Sequence, residues 1–326
     1  MNQVKMYIGI DVAKEHLDVA PFDNQPARVP NNATGIKQLI KRVKATGKTA
    51  FLCCEATGGY EQTLLDMACD AGVDIARVNS ARVRYFAKSE GHFAKNDKLD
   101  AAVITRFAEQ KKPAAHQRPT PFITRLQNLL DRRYQLVDFQ TQDTNRLHQT
   151  SDKESRGFIT STLKHIKEQL AEVDGLIRGL IASDPGQAAR AKRLLEVCGI
   201  GEVTAAALLG YAPELGRYDE QQITSLGGLA PWADDSGDHR GKRKICGGRA
   251  KVRRALYMAA VVAAHRNHVL ASFYQGLLKR GKEKKLALTA VMRKLLRLAN
   301  RLLRDENFQL QTKAKTAKIK PAPASE

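Results

Sequence analysis

The 326-residue chain predicts an α/β N-terminal domain, a pair of long helices and a mainly α-helical, strongly basic C-terminal third. Three observations carry this. Short β-branched runs alternate with helix-periodic segments up to about residue 112. A Pro-, Ala- and Gln-rich stretch from Pro113 to Pro121 then breaks the pattern. Beyond it, apolar residues recur near heptad spacing and strand signals almost vanish. A chain of this length can bury a substantial core and should hold two domains or more.

The first strand is Met6-Tyr-Ile-Gly-Ile-Asp-Val12. Such a run suits a central strand covered on both faces, and it delivers one carboxylate, Asp11, where the chain leaves the core. A carboxylate there costs free energy unless a metal ion or a Lys or Arg compensates it. Residues 4–12 and 15–22 are expected to form a tight hairpin, with a third strand at 27–30. Asn32 or Thr34 then caps a helix from Gly35 to Lys44, whose Ile36, Leu39, Ile40 and Val43 recur at helical spacing and whose stop is Gly47. Thr49 to Cys54 is another apolar run; it ends in Glu55, ahead of Ala-Thr-Gly-Gly-Tyr60 and a helix to about Ala71. Glu55 thus repeats the Asp11 arrangement. A strand at 73–78, a helix at 81–89 and a loop at 91–95 follow. The next helix, 96–110, opens with Asp97 and Asp100, three apart and so on one face. Plain N-terminal capping remains open for this pair, although capping needs only one acid.

Two long polar helices are expected at 123–151 and 158–181. Leu126, Leu129, Leu130, Tyr134 and Val137, then Leu163, Ile166, Leu170, Val173, Leu176, Ile177 and Leu180, give stripes that suit an antiparallel pair or coiled coil. Asp184-Pro185-Gly186 ends it. The segment Leu194 to Leu209 reads as helix, Gly199-Ile200-Gly201, Ala-rich helix, the pattern of a helix-hairpin-helix. Its glycines permit a tight turn that exposes N–H groups to a phosphate, though such hairpins also serve as plain packing elements.

Ser236 lies in a Gly- and Asp-containing loop, where a serine is ordinarily a turn residue. Around it crowd Arg240, Lys242, Arg243, Lys244, Arg249, Lys251, Arg253 and Arg254. Those cations could hold a phosphate while the hydroxyl attacks phosphorus; both roles stay open. After Ser236 the chain carries 23 Lys+Arg against 5 Asp+Glu, a net of +18 out of the +20 of the whole. A field so concentrated points to nucleic acid as partner. It does not suit an anionic membrane, which would want a basic amphipathic helix with aromatics.

No apolar run reaches about 18 residues and no signal-peptide pattern occurs, so the expected location is cytoplasmic, without a membrane partner. Cys53, Cys54, Cys69, Cys198 and Cys246 form no C-x-x-C pair, and the eight histidines show no zinc spacing. Reduced, mostly buried thiols are expected.

Asp11, Glu55, Asp97 and Asp100 have two strand ends and one helix face available to converge. Oxygen-only ligands suit Mg²⁺ or Mn²⁺, and two such ions would serve both oxygens of a phosphoryl transfer. The order of strand acid, strand acid and helix acid-x-x-acid resembles the RNase H-like fold in its RuvC-like branch. Actin-like ATPases and sugar kinases share such a first strand, but Val12-Ala13-Lys14-Glu15-His16 supplies no phosphate-cradling turn.

Taken together, Tyr-Ile-Gly-Ile-Asp11, Glu55-Ala-Thr-Gly-Gly-Tyr60, Asp97-Lys-Leu-Asp100, Gly199-Ile-Gly201 and Gly-Leu-Ala-Pro…Ser236-Gly…Arg254-Ala-Leu-Tyr-Met258 resemble the DEDD insertion-sequence transposases. These are bridge-RNA-guided recombinases related to Piv-type DNA invertases. The resemblance spans roughly residues 5–305. It implies a RuvC-like DEDD domain at 1–112, a coiled-coil linker at 121–182, and a transposase domain with helix-hairpin-helix and catalytic serine at 188–306. A basic tail at 307–326 has no core-forming pattern and is expected to be disordered. It further implies that Asp11, Glu55, Asp97 and Asp100 form the metal-binding tetrad and that Ser236 becomes joined to DNA. Donor and target double-stranded DNA, a structured noncoding bridge RNA and a homo-oligomer, dimer assembling to tetramer, are the implied partners. Gly199, Gly201 and the basic residues named above are the candidate nucleic-acid contacts. Hydrolysis by metal-activated water in a resolvase or invertase without RNA, and a non-catalytic architectural role, are the competing readings.

Overall fold

The computed structural model describes residues 5–23, 28–91, 97–232, 235–236, 239–241 and 243–310, with backbone alone at 97–100, 235–236 and 239–240. The chain divides into two compact units, Met1–Pro119 and Thr120–Glu326.

The first unit contains a five-stranded sheet. Its strands are β1 (Met6–Val12), β2 (His16–Val19), β3 (Arg28–Pro30), β4 (Ala50–Glu55) and β5 (Asp74–Val78), in the order β3-β2-β1-β4-β5. β1 is antiparallel to β2 and parallel to β4, which is parallel to β5. Two layers of helix flank the sheet: α1 (Ala33–Ala45), α2 (Gln62–Asp70), α3 (Ser80–Ser89) and α4 (Asp97–Lys111). Ile8, Ile10 and Val12 pack with Leu52, Cys54 and the apolar faces of α1 and α2. Their neighbours in sequence, Tyr7, Phe51 and Cys53, pack with Phe86 of α3 and Ile104 and Phe107 of α4. Side-chain alternation along a strand thus explains why β1 and β4 read as unbroken apolar runs: both faces are covered. This mixed sheet is compatible with an RNase H-like domain. Asn32 caps α1 by accepting from Gly35 N, and α2 starts late because Gly58 and Gly59, at φ +77° and +117°, hold the chain outside helical space.

The second unit is helical: α5 (Pro121–Gln149), α6 (Lys153–Ala182), α7 (Pro185–Leu195), α8 (Glu202–Tyr211), α9 (Glu220–Leu226), α10 (Ala250–Arg266), α11 (His268–Lys279) and α12 (Lys284–Arg304). Among the described residues, four two-residue strands lie between α9 and α10. β6 (Pro231–Trp232) pairs with β9 (Lys244–Ile245), and β7 (Asp235–Ser236) pairs with β8 (His239–Arg240). α5 and α6 form an antiparallel pair clasped by Arg133 and Asp174 at 2.7 Å. One core runs from Leu126 through α8 to Leu302, so the first half of α5 is built into the same interior as α10 and α12. α8 is its hub, with Thr204 to Tyr211 all buried; Ala and Gly there let neighbours approach closely. Phe308 and Leu310 pack against this core, and Arg193 donates to the Phe308 carbonyl at 2.8 Å. The stretch 307–310 is therefore tied down, and 311–326 lies outside the described residues.

All five cysteines are free thiols, but the expectation that most are buried holds only for Cys53 and Cys54. Cys69 is partly covered, and Cys198 and Cys246 are exposed because they sit in turns. Burial pushes the Cys53 thiol up to about 12, with the Glu55 carboxylate adding to it, and Cys54 moves the same way; neither is poised as a nucleophile. Among the described residues, no helix is long and apolar enough to cross a membrane.

Candidate active site and nucleic-acid interface

Two acids meet at the end of the sheet because of strand register. Ile10 stands opposite Cys54 in the parallel β1–β4 pair, so the next residues, Asp11 and Glu55, follow side by side. In-register neighbours point to the same face. That face is the α3/α4 side, since Tyr7 and Phe51, an even number of residues back, pack there. Both carboxylates are partly buried.

α4 reaches the same place by close packing at Gly9. A Cβ on Gly9 would lie 2.2 Å from the Ala101 carbonyl and 2.5 Å from Thr105 N. Gly9 N instead donates to Thr105 Oγ1 at 2.8 Å, and that hydroxyl donates to the Ala101 carbonyl at 3.1 Å. Helix and strand thus touch backbone to backbone. The turn holding Asp97 and Asp100 immediately precedes the turn that packs on Gly9, two residues from Asp11. The side chains of Asp97 and Asp100 lie outside the described residues. Among the described residues, no cluster of three or more His, Cys, Asp or Glu side chains has the makings of a metal site. Asp11 and Glu55 alone supply carboxylate oxygens on adjacent strands, a donor set that fits a hard divalent cation.

Two further acids shape this edge and escaped the sequence reading. Asp18 pairs with Asp11 across β1–β2 and is 7% exposed. Arg28 neutralises it with two hydrogen bonds of 2.8 Å, and His16 Nε2 lies 3.5 Å away. The alternation His16-Leu-Asp18-Val was its only signal. Glu61, at 2% exposure, organises the glycine loop after Glu55. Its carboxylate accepts from Gly59 N at 2.9 Å, Thr57 N at 3.2 Å and Thr57 Oγ1 at 3.1 Å, with Arg77 at 3.5 Å. Burial alone would raise its pKa, but these hydrogen bonds outweigh it and hold the carboxyl below its ordinary value.

In the second unit, Gly199 adopts φ +112° and a Cβ there would meet the Ala259 carbonyl at 2.8 Å, so packing against α10 by itself requires glycine. Gly201 N-caps α8 and has open space around it. The first residue of that helix is Glu202, whose carboxylate meets Arg178 at 3.4 Å. Ser236 lies in β7, in register with His239 of β8; Lys242 lies outside the described residues, as do the side chains of Ser236 and Arg240. Arg243 and Lys244 are exposed.

Most of the remaining cations are engaged with carboxylates of their own unit. Arg249 grips Glu214 through contacts of 2.6 and 2.7 Å and donates to the Tyr211 carbonyl at 2.8 Å. Burial would raise the Glu214 pKa, yet the Arg249 contact lowers it overall. Lys251 meets both oxygens of Asp131 at 2.6 and 2.8 Å. Arg254 pairs with Asp138 and stacks on Tyr134, 4.4 Å from the ring centre. Arg253 donates to the Gly247 carbonyl at 2.6 Å, tying α10 to the turn that follows β9. The acids on α5 were not singled out in sequence because they are separated from their partners by more than a hundred residues.

Against known proteins, residues 8–153 match the profile of a DEDD-type IS110 transposase, described as Transposase, and residues 191–275 match the Transposase IS116/IS110/IS902 family. The pilin gene-inverting proteins of Moraxella lacunata and Moraxella bovis are each 29% identical to this chain over 316 residues, covering 92% of it and 96% of theirs.

Proposed function

The chain belongs to the IS116/IS110/IS902 transposase family and is a DNA recombinase, and from that premise we propose that it exchanges DNA strands through a covalent phosphoserine at Ser236. The observation that supports the acidic half of this reading is the placement of Asp11 beside Glu55 at the end of two parallel strands, with the Asp97–Asp100 turn next to the Gly9 contact, while Ser236 is carried by its place among the basic residues of the sequence. These four acids are the proposed metal ligands, in an RNase H-like, RuvC-like domain. A bound Mg²⁺ or Mn²⁺ would neutralise the phosphate oxygens.

Ser236 Oγ forms a bond to phosphorus as a deoxyribose oxygen leaves with the serine's proton. A deoxyribose hydroxyl of another strand then attacks the serine phosphodiester, which restores the DNA and frees the serine. Each broken diester is replaced by a new one, so the exchange needs no external energy source. Arg240, Arg243 and Lys244, close to the serine in the chain, would hold the phosphate. Donor and target DNA, and a structured RNA that pairs with both, are the proposed partners, in a homo-oligomer.

A denaturing gel of the protein with Mg²⁺ and the junction DNA of its element tests this. The wild type should give a protein–DNA adduct, and Ser236→Ala should give neither adduct nor exchange. A Ser236→Ala protein that still cuts would replace this reading with hydrolysis by metal-activated water. The similarity to pilin gene-inverting proteins along nearly their whole length favours a second reading, site-specific inversion without RNA. Exchange by protein stripped of RNA would decide for it.

A further inference from the structure

Trp232, the one tryptophan of the chain, is 55% exposed. An indole on the surface is unusual, since its large apolar body gains from burial. Its backbone is nevertheless fixed: Trp232 closes β6 and pairs with Lys244 of β9. It lines a cleft of about 830 Å³ together with Thr224, Ser225, Pro231, Arg293 and Arg297. That volume is ample for a nucleotide.

The polar groups of this cleft narrow the choice of ligand. Arg297 is already paired with Glu220, so the cleft is not a simple phosphate trap. Arg293 Nε, in contrast, is buried and finds no acceptor among the described residues. Because Nε is covered, a ligand can meet only the terminal nitrogens of this guanidinium, which no carboxylate among the described residues engages. One aromatic face and one guanidinium without a carboxylate partner are what an unstacked nucleobase requires: a surface to stack on and donors for a ring nitrogen or carbonyl. Trp232 is also four residues from Ser236 in the chain.

We propose that the Trp232–Arg293 cleft takes an unstacked DNA base next to the phosphodiester that Ser236 attacks. This rests on the serine reading above and adds to it a site for the nucleotide itself. Holding one base out of the stack would open the backbone at the scissile step and fix its register against the serine.

The full-length protein reports on this directly, because its only tryptophan is in the cleft. Oligothymidylate should quench Trp232 emission saturably, whereas a blunt duplex, whose bases stay stacked, should leave it unchanged. Trp232→Ala should weaken oligothymidylate binding about 5- to 140-fold, the loss of one stacked base, while leaving duplex affinity unaltered. Trp232→Phe should keep most of the affinity, which separates lost stacking from a misfolded hairpin. Arg293→Met should weaken oligothymidylate in the same direction. Unchanged emission at saturating oligothymidylate overturns the proposal, as does quenching by oligouridylate alone or by self-association on raising protein concentration. The serine adduct is read separately on the denaturing gel: adduct without quenching sinks the base site alone, and quenching without adduct sinks the serine reading and with it the placement of the base beside a serine-attacked step.

Discussion

The two units pair acids with bases alike, but among the described residues only the first sets acids side by side on adjacent strands. In the first, acids are brought alongside one another: register sets Asp11 next to Glu55, and Asp18 stands across from Asp11. Apolar packing on both faces of β1 and β4 sets this register, and Arg28 neutralises Asp18. In the second unit, acids face bases: Glu214, Asp131 and Asp138 take Arg249, Lys251 and Arg254. Opposite charges fasten their own elements, here α10 to α5. The lesson is that a count of charges measures a long-range field and says little about which cations a phosphate can reach. A net of +18 after Ser236 draws in DNA, yet three of its best-placed cations have carboxylate partners already.

The contrast is sharpest at Asp11. Asp11→Asn should lower strand exchange by about 100-fold or more, since even groups that only support metal ligands are worth 10- to 100-fold, and its unfolding midpoint should stay near wild type. A large loss of stability with intact exchange would mean the acidic edge serves the fold alone.

The packing that holds that edge is next. Gly9→Ala drives a methyl into the Ala101 carbonyl and should destabilise the first unit by about 3 kcal/mol, as overpacking does, read as a lower urea midpoint. A neutral result would show that α4 is not seated on β1.

Glu61 offers a pH test. Its folded pKa is depressed, so its contribution is present above the ordinary value of 4.5 and is lost as pH falls from there through the lowered folded value. Glu61→Gln should cost about 1–3 kcal/mol near neutral pH and should flatten the acid side of a stability–pH profile. A variant as acid-sensitive as wild type would remove Glu61 from that role.

The smallest effects belong to the ion pairs of the second unit. Asp131→Asn with Asp138→Asn should lower stability by no more than about 1 kcal/mol per pair. Releasing Lys251 and Arg254 should steepen the salt dependence of duplex binding, adding up to about 2 to the log–log slope. If the slope stays fixed, those cations never reach phosphate and the basic field acts through Arg243, Lys244 and their neighbours.

Much of the first unit was legible in the sequence. Asp11 and Glu55 could be located because an apolar strand that ends in an acid before a turn has few other meanings, and helix α1 could be bounded from Asn32 and its periodic Ile and Leu residues. Asp18 and Glu61 could not, because their burial depends on Arg28 and on the loop geometry of Thr57 and Gly59. In the second unit, the turn at Gly199 was legible, but its need for glycine proved to be the approach of Ala259. Membership of a long helix pair was legible for Leu126 and Leu130; their burial in the same interior as Leu302 was not, since heptad spacing says a face is covered without saying by what.

The sequence alone determined the alternation of buried strands and helices, the acids at strand ends and the sign and location of the charge, because each is local in the chain and follows from the side-chain period of an element. The tertiary structure alone decided that Asp11 lies beside Glu55, that Gly9 admits α4, that α5 carries counter-charges of α10, and that Trp232 and Arg293 line one cleft. Those facts depend on strand register and on contacts between residues far apart in the chain, which periodicity within a single element does not encode.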